Sequence, residues 1–177
     1  MTNSPTLKEI IKPILVLAAI CLVVTGAIAL INDATYPIIA EANAERTRAT
    51  MIEIVPGAPG FELIESDALP SNILRAYRVT DGSGYIFIIS SNGFGGNMRV
   101  ICGVDVNGKI IEVRTLQHSE TKGLGDYIDK RSFTGQFDGK DLSGIPEIDS
   151  VTGATITFNA FIDAVENALE AFSIIAE

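Results

Sequence analysis

The sequence predicts an α+β protein, with one apolar helix near its N-terminus followed by a domain in which helices pack on a twisted antiparallel sheet. Three features predict it. Ile14 to Ile31 is a run of 18 residues without a charge. Asn107-Gly108 lies between two runs rich in β-branched residues, and Asn-Gly in that setting is the strongest short-range hairpin signal. From Asn159 onward, Phe161, Ala164, Val165, Ala168, Leu169 and Phe172 recur at three and four, opposite Asp163, Glu166 and Glu170. That is the stripe of an amphipathic helix.

The apolar run is just long enough to span a bilayer. Lys8 and Lys12 precede it, while Asp33 and Glu41 follow. The positive-inside rule therefore puts residues 1–12 in the cytoplasm, a transmembrane helix at 13–31 and the remainder outside the cell (inner) membrane. Ala27-Ile28-Ala29 has the small-x-small form of a cleavage site. The run exceeds a usual signal core, so an uncleaved single-pass anchor is expected. Residues 32–60 read as a helical stalk rich in Ala and Glu that ends at Pro56-Gly57 and Pro59-Gly60, and the domain proper occupies 61–177.

Within that domain, Arg75 to Thr80 and Tyr85 to Ser90 read as strands joined by Asp81-Gly82-Ser83-Gly84. Ile86-Phe87-Ile88-Ile89 does not alternate, which predicts a central strand covered on both faces. The glycine-rich loop Asn92 to Asn97 lacks the lysine of a P-loop and the glycine spacing of a dinucleotide fingerprint. Val100 to Val106 and Lys109 to Leu116 then flank the Asn-Gly turn, with Val100, Cys102, Val104 and Val106 on one face.

Composition excludes several function classes. Net charge is -9, and the residues before 32 contribute +1, leaving -10 on the rest. Such a surface repels nucleic acid, so no nucleic-acid partner is expected. Cys21 lies in the apolar run and Cys102 in a strand, which rules out a disulfide framework. With one histidine, they also leave no zinc or iron–sulfur set, and no metal site is expected.

The candidate site centres on Asp149-Ser150-Val151-Thr152-Gly153-Ala154-Thr155, followed by Thr157. Gly153 permits unusual backbone angles and Ala154 adds little bulk, so a phosphate can approach the main chain closely. Thr155 is placed just before a helix N-terminus, where free N–H groups and the positive end of the dipole favour a phosphate. On local grounds alone, Thr152, Thr155 and Thr157 also suit plain turn and capping roles.

This pattern resembles the Asp-x-x-Ser/Thr-Gly-Ala-Thr signature at which FMN is esterified in the FMN-binding subunits of two membrane redox complexes, the G subunit of the Rnf complex and the C subunit of the sodium-translocating NADH:quinone reductase. A second stretch, His118-Ser119-Glu120-Thr121-Lys122-Gly123-Leu124-Gly125, is similar to the family's His-x-Glu-Thr-Pro-Gly-Leu-Gly. Gly93-Phe94-Gly95-Gly96 is similar to its glycine-aromatic-glycine-glycine loop, and Phe133 and Gln136-Phe137 fall where similar residues occur. The resemblance covers roughly residues 85 to 172. Lys122 departs from the pattern. Losing proline there frees the loop, by about half a kcal/mol of unfolded-state entropy or more, and a lysine equally suits charge balance beside a phosphate or a reduced flavin.

The resemblance implies FMN attached covalently through a phosphoester to Thr155, with Thr152, Gly153, Ala154 and Thr157 around the attachment. It implies an isoalloxazine pocket made by the second stretch. There, Gly123 and Gly125 would offer N–H groups to the ring's carbonyls, and Leu124 an apolar surface. Glu120 and Thr121 are candidates for polar contacts, with a solvated loop carboxylate the alternative for Glu120. His118 is a flavin contact or a structural hydrogen-bond partner. A flavin transferase would recognise Asp149, Thr152, Gly153, Ala154 and Thr155, because a threonine hydroxyl is too weak a nucleophile to act unaided. The other membrane subunits of an Rnf-type ferredoxin:NAD oxidoreductase, coupled to sodium or proton translocation, would be the partners. No catalytic residue is expected, and the chain alone should have no turnover. The short chain favours the Rnf member of the family over the quinone-reductase member. A membrane-anchored flavin sensor should show further domains or spans, and a non-redox binding module would be colourless.

Overall fold

In a computed structural model of the chain, residues 7–176 are described, with side chains from residue 11. The first part of the 1–12 segment, including the Lys8 side chain, and Glu177 lie outside them. The chain divides into two compact units, Met1–Arg46 and Thr47–Glu177.

Helix α1, Leu7–Ile54, supplies the first unit and the start of the second. Its stretch from Ile11 onward reaches a mean hydropathy of 3.0 and is long and apolar enough to cross a membrane. Leu15, Leu22, Val23 and Leu30 stand exposed on it, an arrangement suited to lipid rather than water. Pro13 and Pro37 lie inside the helix on either side of the charge-free run.

The second unit is a five-stranded antiparallel sheet in sequential order. Its strands are β1 Phe61–Ile64, β2 Ile73–Val79, β3 Gly84–Gly93, β4 Gly96–Asp105 and β5 Ile110–Gln117. β3 is the central strand. Phe87 and Ile89 enter one core and Ile86 and Ile88 the other, as its lack of alternation predicts. The first core is roofed by the long C-terminal helix, Thr155–Ala176, through Phe161, Ala164, Val165, Ala168 and Leu169. The second core is closed by Met51 and Ile54, from the last turns of α1, and by Val55.

Asn107-Gly108 forms the β4–β5 turn. Gly108 has φ +77°, and Asp105 Oδ1 accepts from the N–H groups of Asn107 and Lys109, each at 2.8 Å. One detail differs from expectation. β4 ends at Asp105 and Val106 is 56% exposed, because Asp105 turns its carboxylate onto the hairpin and lifts Val106 out of the ladder.

Between β5 and the C-terminal helix the chain makes short turns, Asp126–Asp129, Gly135–Phe137 and Leu142–Glu147, and one brief helix, α2, Arg131–Thr134. The C-terminal helix is therefore α3. Apolar residues spaced along the turns, Tyr127, Ile128, Phe133, Phe137, Ile145 and Ile148, fill the α3 side of the core. Phe133 meets Tyr127, Phe137 and Phe161 edge-on at centroid distances of 4.8, 5.4 and 5.2 Å. This aromatic cluster holds the chain that leads into the candidate site.

Candidate functional site

Three segments distant in sequence meet at the start of α3. The first is the β3–β4 connection. The sequence suggests a loop from Asn92 to Asn97, but Gly93 pairs directly with Gly96, leaving a two-residue hairpin of Phe94 and Gly95. Gly96, at φ +103°, has the backbone such a turn demands. Phe94 stands 72% exposed at its tip.

The second segment is His118 to Gly125. Glu120, though on a loop, is only 8% exposed, so the solvated-carboxylate alternative does not hold. Its Oε1 accepts from the Gly95 N–H at 3.0 Å, and its Oε2 accepts from the Thr157 hydroxyl at 2.7 Å. His118 Nδ1 accepts from the Glu120 N–H at 3.1 Å, while His118 Nε2 lies 2.8 Å from Asp129 Oδ2. Accepting at Nδ1 assigns the ring proton to Nε2, facing the carboxylate. His118 thus bridges the backbone of the loop and Asp129.

The same loop closes on itself. Leu124 and Gly125 donate their N–H groups to the Thr121 carbonyl at 3.1 and 3.0 Å. Gly123, at φ +80°, donates to Asp126 Oδ1 at 2.9 Å. Both amides expected to reach a ring carbonyl are therefore engaged within the loop, since a turn this tight consumes its own donors. What the loop presents outward is the exposed Thr121 and Lys122, a Gly123 with open space beside its Cα, and a Leu124 side chain that is 51% exposed.

The third segment is the predicted motif. The Asp149 N–H donates to Gln136 Oε1 at 2.9 Å, which ties the start of the motif to the aromatic cluster. Gly153 sits at φ +86°, and a Cβ there would lie 3.6 Å from Leu124 Cδ2, so the two motifs touch. The Phe158 N–H donates to the Ala154 carbonyl at 2.9 Å as the first helical bond. Ala154 therefore occupies the cap position and Thr155 the first helical one, a residue later in role than the sequence suggests. The N–H groups of Thr155, Ile156 and Thr157 have no partner within the helix. Thr155 and Thr152 are exposed, while Thr157 is 1% exposed and turned inward to Glu120.

Tyr127 lies behind this arrangement with its hydroxyl buried and, among the described residues, without a hydrogen-bond partner. Burial, and then the charge of Glu120, push the phenol up to about 12. Burial likewise raises the Cys102 thiol to about 12, so that cysteine is an inert core residue.

A hydroxyl at an open helix start, an apolar leucine floor beside it and glycine-made space around both suit a phosphorylated, planar aromatic cofactor. The comparisons with known proteins define the class. The family model of the FMN-binding domain matches residues 93–170, taking in the glycine hairpin, the Glu120 loop and most of α3. The model of the RnfG N-terminal region matches residues 1–54.

The chain belongs to the family of G subunits of ion-translocating oxidoreductase complexes. It is 32% identical to the G subunit from Shewanella baltica, covering 94% of this chain and 91% of the relative. It is 34% identical to the one from Shewanella amazonensis, covering 92% and 87%. It is 30% identical to the G subunit of the proton-translocating ferredoxin:NAD(+) oxidoreductase complex of Clostridium ljungdahlii, covering 85% and 84%. Among solved structures, NqrC from Shewanella oneidensis shares the fold, with a TM-score of 0.50 at 19% identity over 70% of each chain.

Proposed function

We propose that this chain is the FMN-carrying electron-transfer subunit of a membrane ferredoxin:NAD oxidoreductase that moves sodium or protons, with the cofactor joined to Thr155 through a phosphoester. The observation that carries the reading is the junction of the two motifs. Leu124 lies against Gly153, Glu120 is bonded to Thr157, and the Thr155 hydroxyl is left outward at the helix start. When bound, FMN supplies the redox chemistry.

The residues divide the remaining work. Thr155 provides the tether, which keeps the cofactor from being lost outside the cell. The free N–H groups of Thr155, Ile156 and Thr157 and the positive end of α3 suit its phosphate. Leu124 gives an apolar face over the Gly153 backbone. Thr121 and Thr152 stand exposed for polar contacts, and Gly123 leaves room at the edge. The mostly exposed stretch from Asp149 to Thr155 is what a flavin transferase would read. Lys12 before the apolar run and the acidic residues after it support a cytoplasmic N-terminus and an extracytoplasmic flavin domain. The other membrane proteins of the complex would then deliver and accept the electrons.

The test is the intact mass of the full-length chain produced with and without a flavin transferase. The reading predicts a gain of FMN minus water only with the transferase, and a yellow protein that bleaches on reduction and recovers in air. A colourless chain of unmodified mass under both conditions contradicts it.

A further inference from the structure

Glu120 is the one carboxylate buried within the site, and three glycines shape the space that houses it. A Cβ on Gly93 would lie 2.2 Å from its Oε1, and a Cβ on Gly125 would lie 2.5 Å from its Oε2. A Cβ on Gly95 would lie 2.2 Å from the Ser119 carbonyl oxygen. All three separations are shorter than a side chain tolerates, so the glycines of both loops are what make room for this carboxylate and the backbone that carries it. Its two oxygens are met by a hydroxyl and a backbone N–H, both neutral donors. No lysine, arginine or histidine pairs with it among the described residues. The positive end of α3 is the remaining source of stabilisation.

From this geometry, and resting on the reading of the site as an FMN carrier, we infer that Glu120 is a positioning residue with two effects. Its carboxylate clasps the Phe94-Gly95 hairpin and the Leu124 loop to the first turn of α3, and it keeps a fixed negative charge behind the flavin pocket. A buried carboxylate satisfied only by neutral donors retains its field, because no ion pair cancels it and little water screens it. Reduction adds negative charge to a flavin, so that field opposes reduction and lowers the midpoint potential. The charges of the exposed Lys122 and Asp129 face water and are screened far more, and that of the half-buried Asp126 is partly screened.

The experiment uses full-length, detergent-solubilised chain made with a flavin transferase, with wild type, Glu120→Gln and Thr157→Val compared. Glu120→Gln keeps the shape and removes the charge, since the Thr157 hydroxyl can reverse and accept from the new amide. It is expected to melt close to wild type, carry FMN and show a midpoint potential shifted upward. Thr157→Val keeps the charge and removes one clasp bond. It is expected to speed amide exchange across residues 93–96 and 118–125 roughly tenfold, as loss of a hydrogen bond to a charged group implies, with a smaller change of potential. An unmoved potential in flavin-loaded Glu120→Gln overturns the electrostatic role, and unchanged exchange in Thr157→Val overturns the clasp. If Glu120→Gln does not fold, the exchange result alone decides the inference. Wild type that takes up no FMN would instead sink the functional reading, while the exchange comparison would still judge the clasp.

Discussion

The two ends of the site are built in opposite ways. On the inner side, Glu120, Thr157 and Gly125 are buried, and both Glu120 oxygens, the Thr157 hydroxyl and the Gly125 N–H have partners within 3.0 Å. On the outer side, Thr152, Gly153 and Thr155 are exposed, and the Thr155 hydroxyl has no partner among the described residues. The inner half is fixed before any cofactor arrives. On the proposed function, the outer half has to admit both a cofactor and the protein that would attach it. Most buried polar groups in folded proteins are hydrogen-bonded, so the rigid support is found where water is excluded and the exposed threonines are left where they can be reached.

Substitutions on either side break this contrast in different measurements. The largest effect is all-or-none. Thr155→Val should abolish the FMN mass gain while leaving the melting curve in place, because an exposed β-branched residue is exchanged for another of the same shape. Next is Phe161→Ala. Phe161 is fully buried and packs on Phe133 and Phe137, so the change should cost about 3–5 kcal/mol in denaturant unfolding.

Gly125→Ala separates the inner half from the general core. Its backbone, at φ -88°, accepts alanine readily, so any loss comes from the collision with Glu120. A cost of about 1–3 kcal/mol is expected, against near-zero for an alanine at the exposed Lys122. Leu124→Asp should leave attachment intact and lower the flavin potential by about 1 kcal/mol per electron, the size of a partly screened charge nearby. An unshifted redox titration would mean Leu124 does not adjoin the ring.

The smallest effect is expected at Tyr127. Its folded pKa is raised to about 12 from an ordinary 10. The group therefore contributes stability that is complete below pH 10 and lost as pH climbs through the folded value. Tyr127→Phe should be nearly neutral at pH 7, since it deletes a hydroxyl without a partner. In an alkaline titration of tyrosinate absorbance, the variant should lack the most alkaline component.

How much of this could be read from the sequence follows the range of the forces involved. The Asn-Gly turn, the unbroken apolar run of β3 and the stripe of α3 are set by neighbours a few residues apart, and all three stand as expected. The short strand β1 and the turns between Asp126 and Glu147 carry no period long enough to register. The burial of Glu120 is the hardest to foresee. It depends on Gly93, Gly95, Gly125 and Thr157 converging from positions up to 37 residues away, and a glutamate in a polar loop looks solvated until they do. For the same reason the sequence suggests outward-facing Gly123 and Gly125 amides, although the turn bonds both internally.

The measurement that bears most directly on the central claim is a fragment spectrum of the wild-type peptide carrying the flavin. No lysine or arginine follows Lys140, so the tryptic peptide beginning at Asp141 contains Thr152, Thr155 and Thr157 together. The proposed tether predicts that fragment ions place FMN on Thr155 alone, with the exposed Thr152 and the buried Thr157 unmodified. Flavin on Thr157, or on neither Thr155 nor its neighbours, would contradict the account.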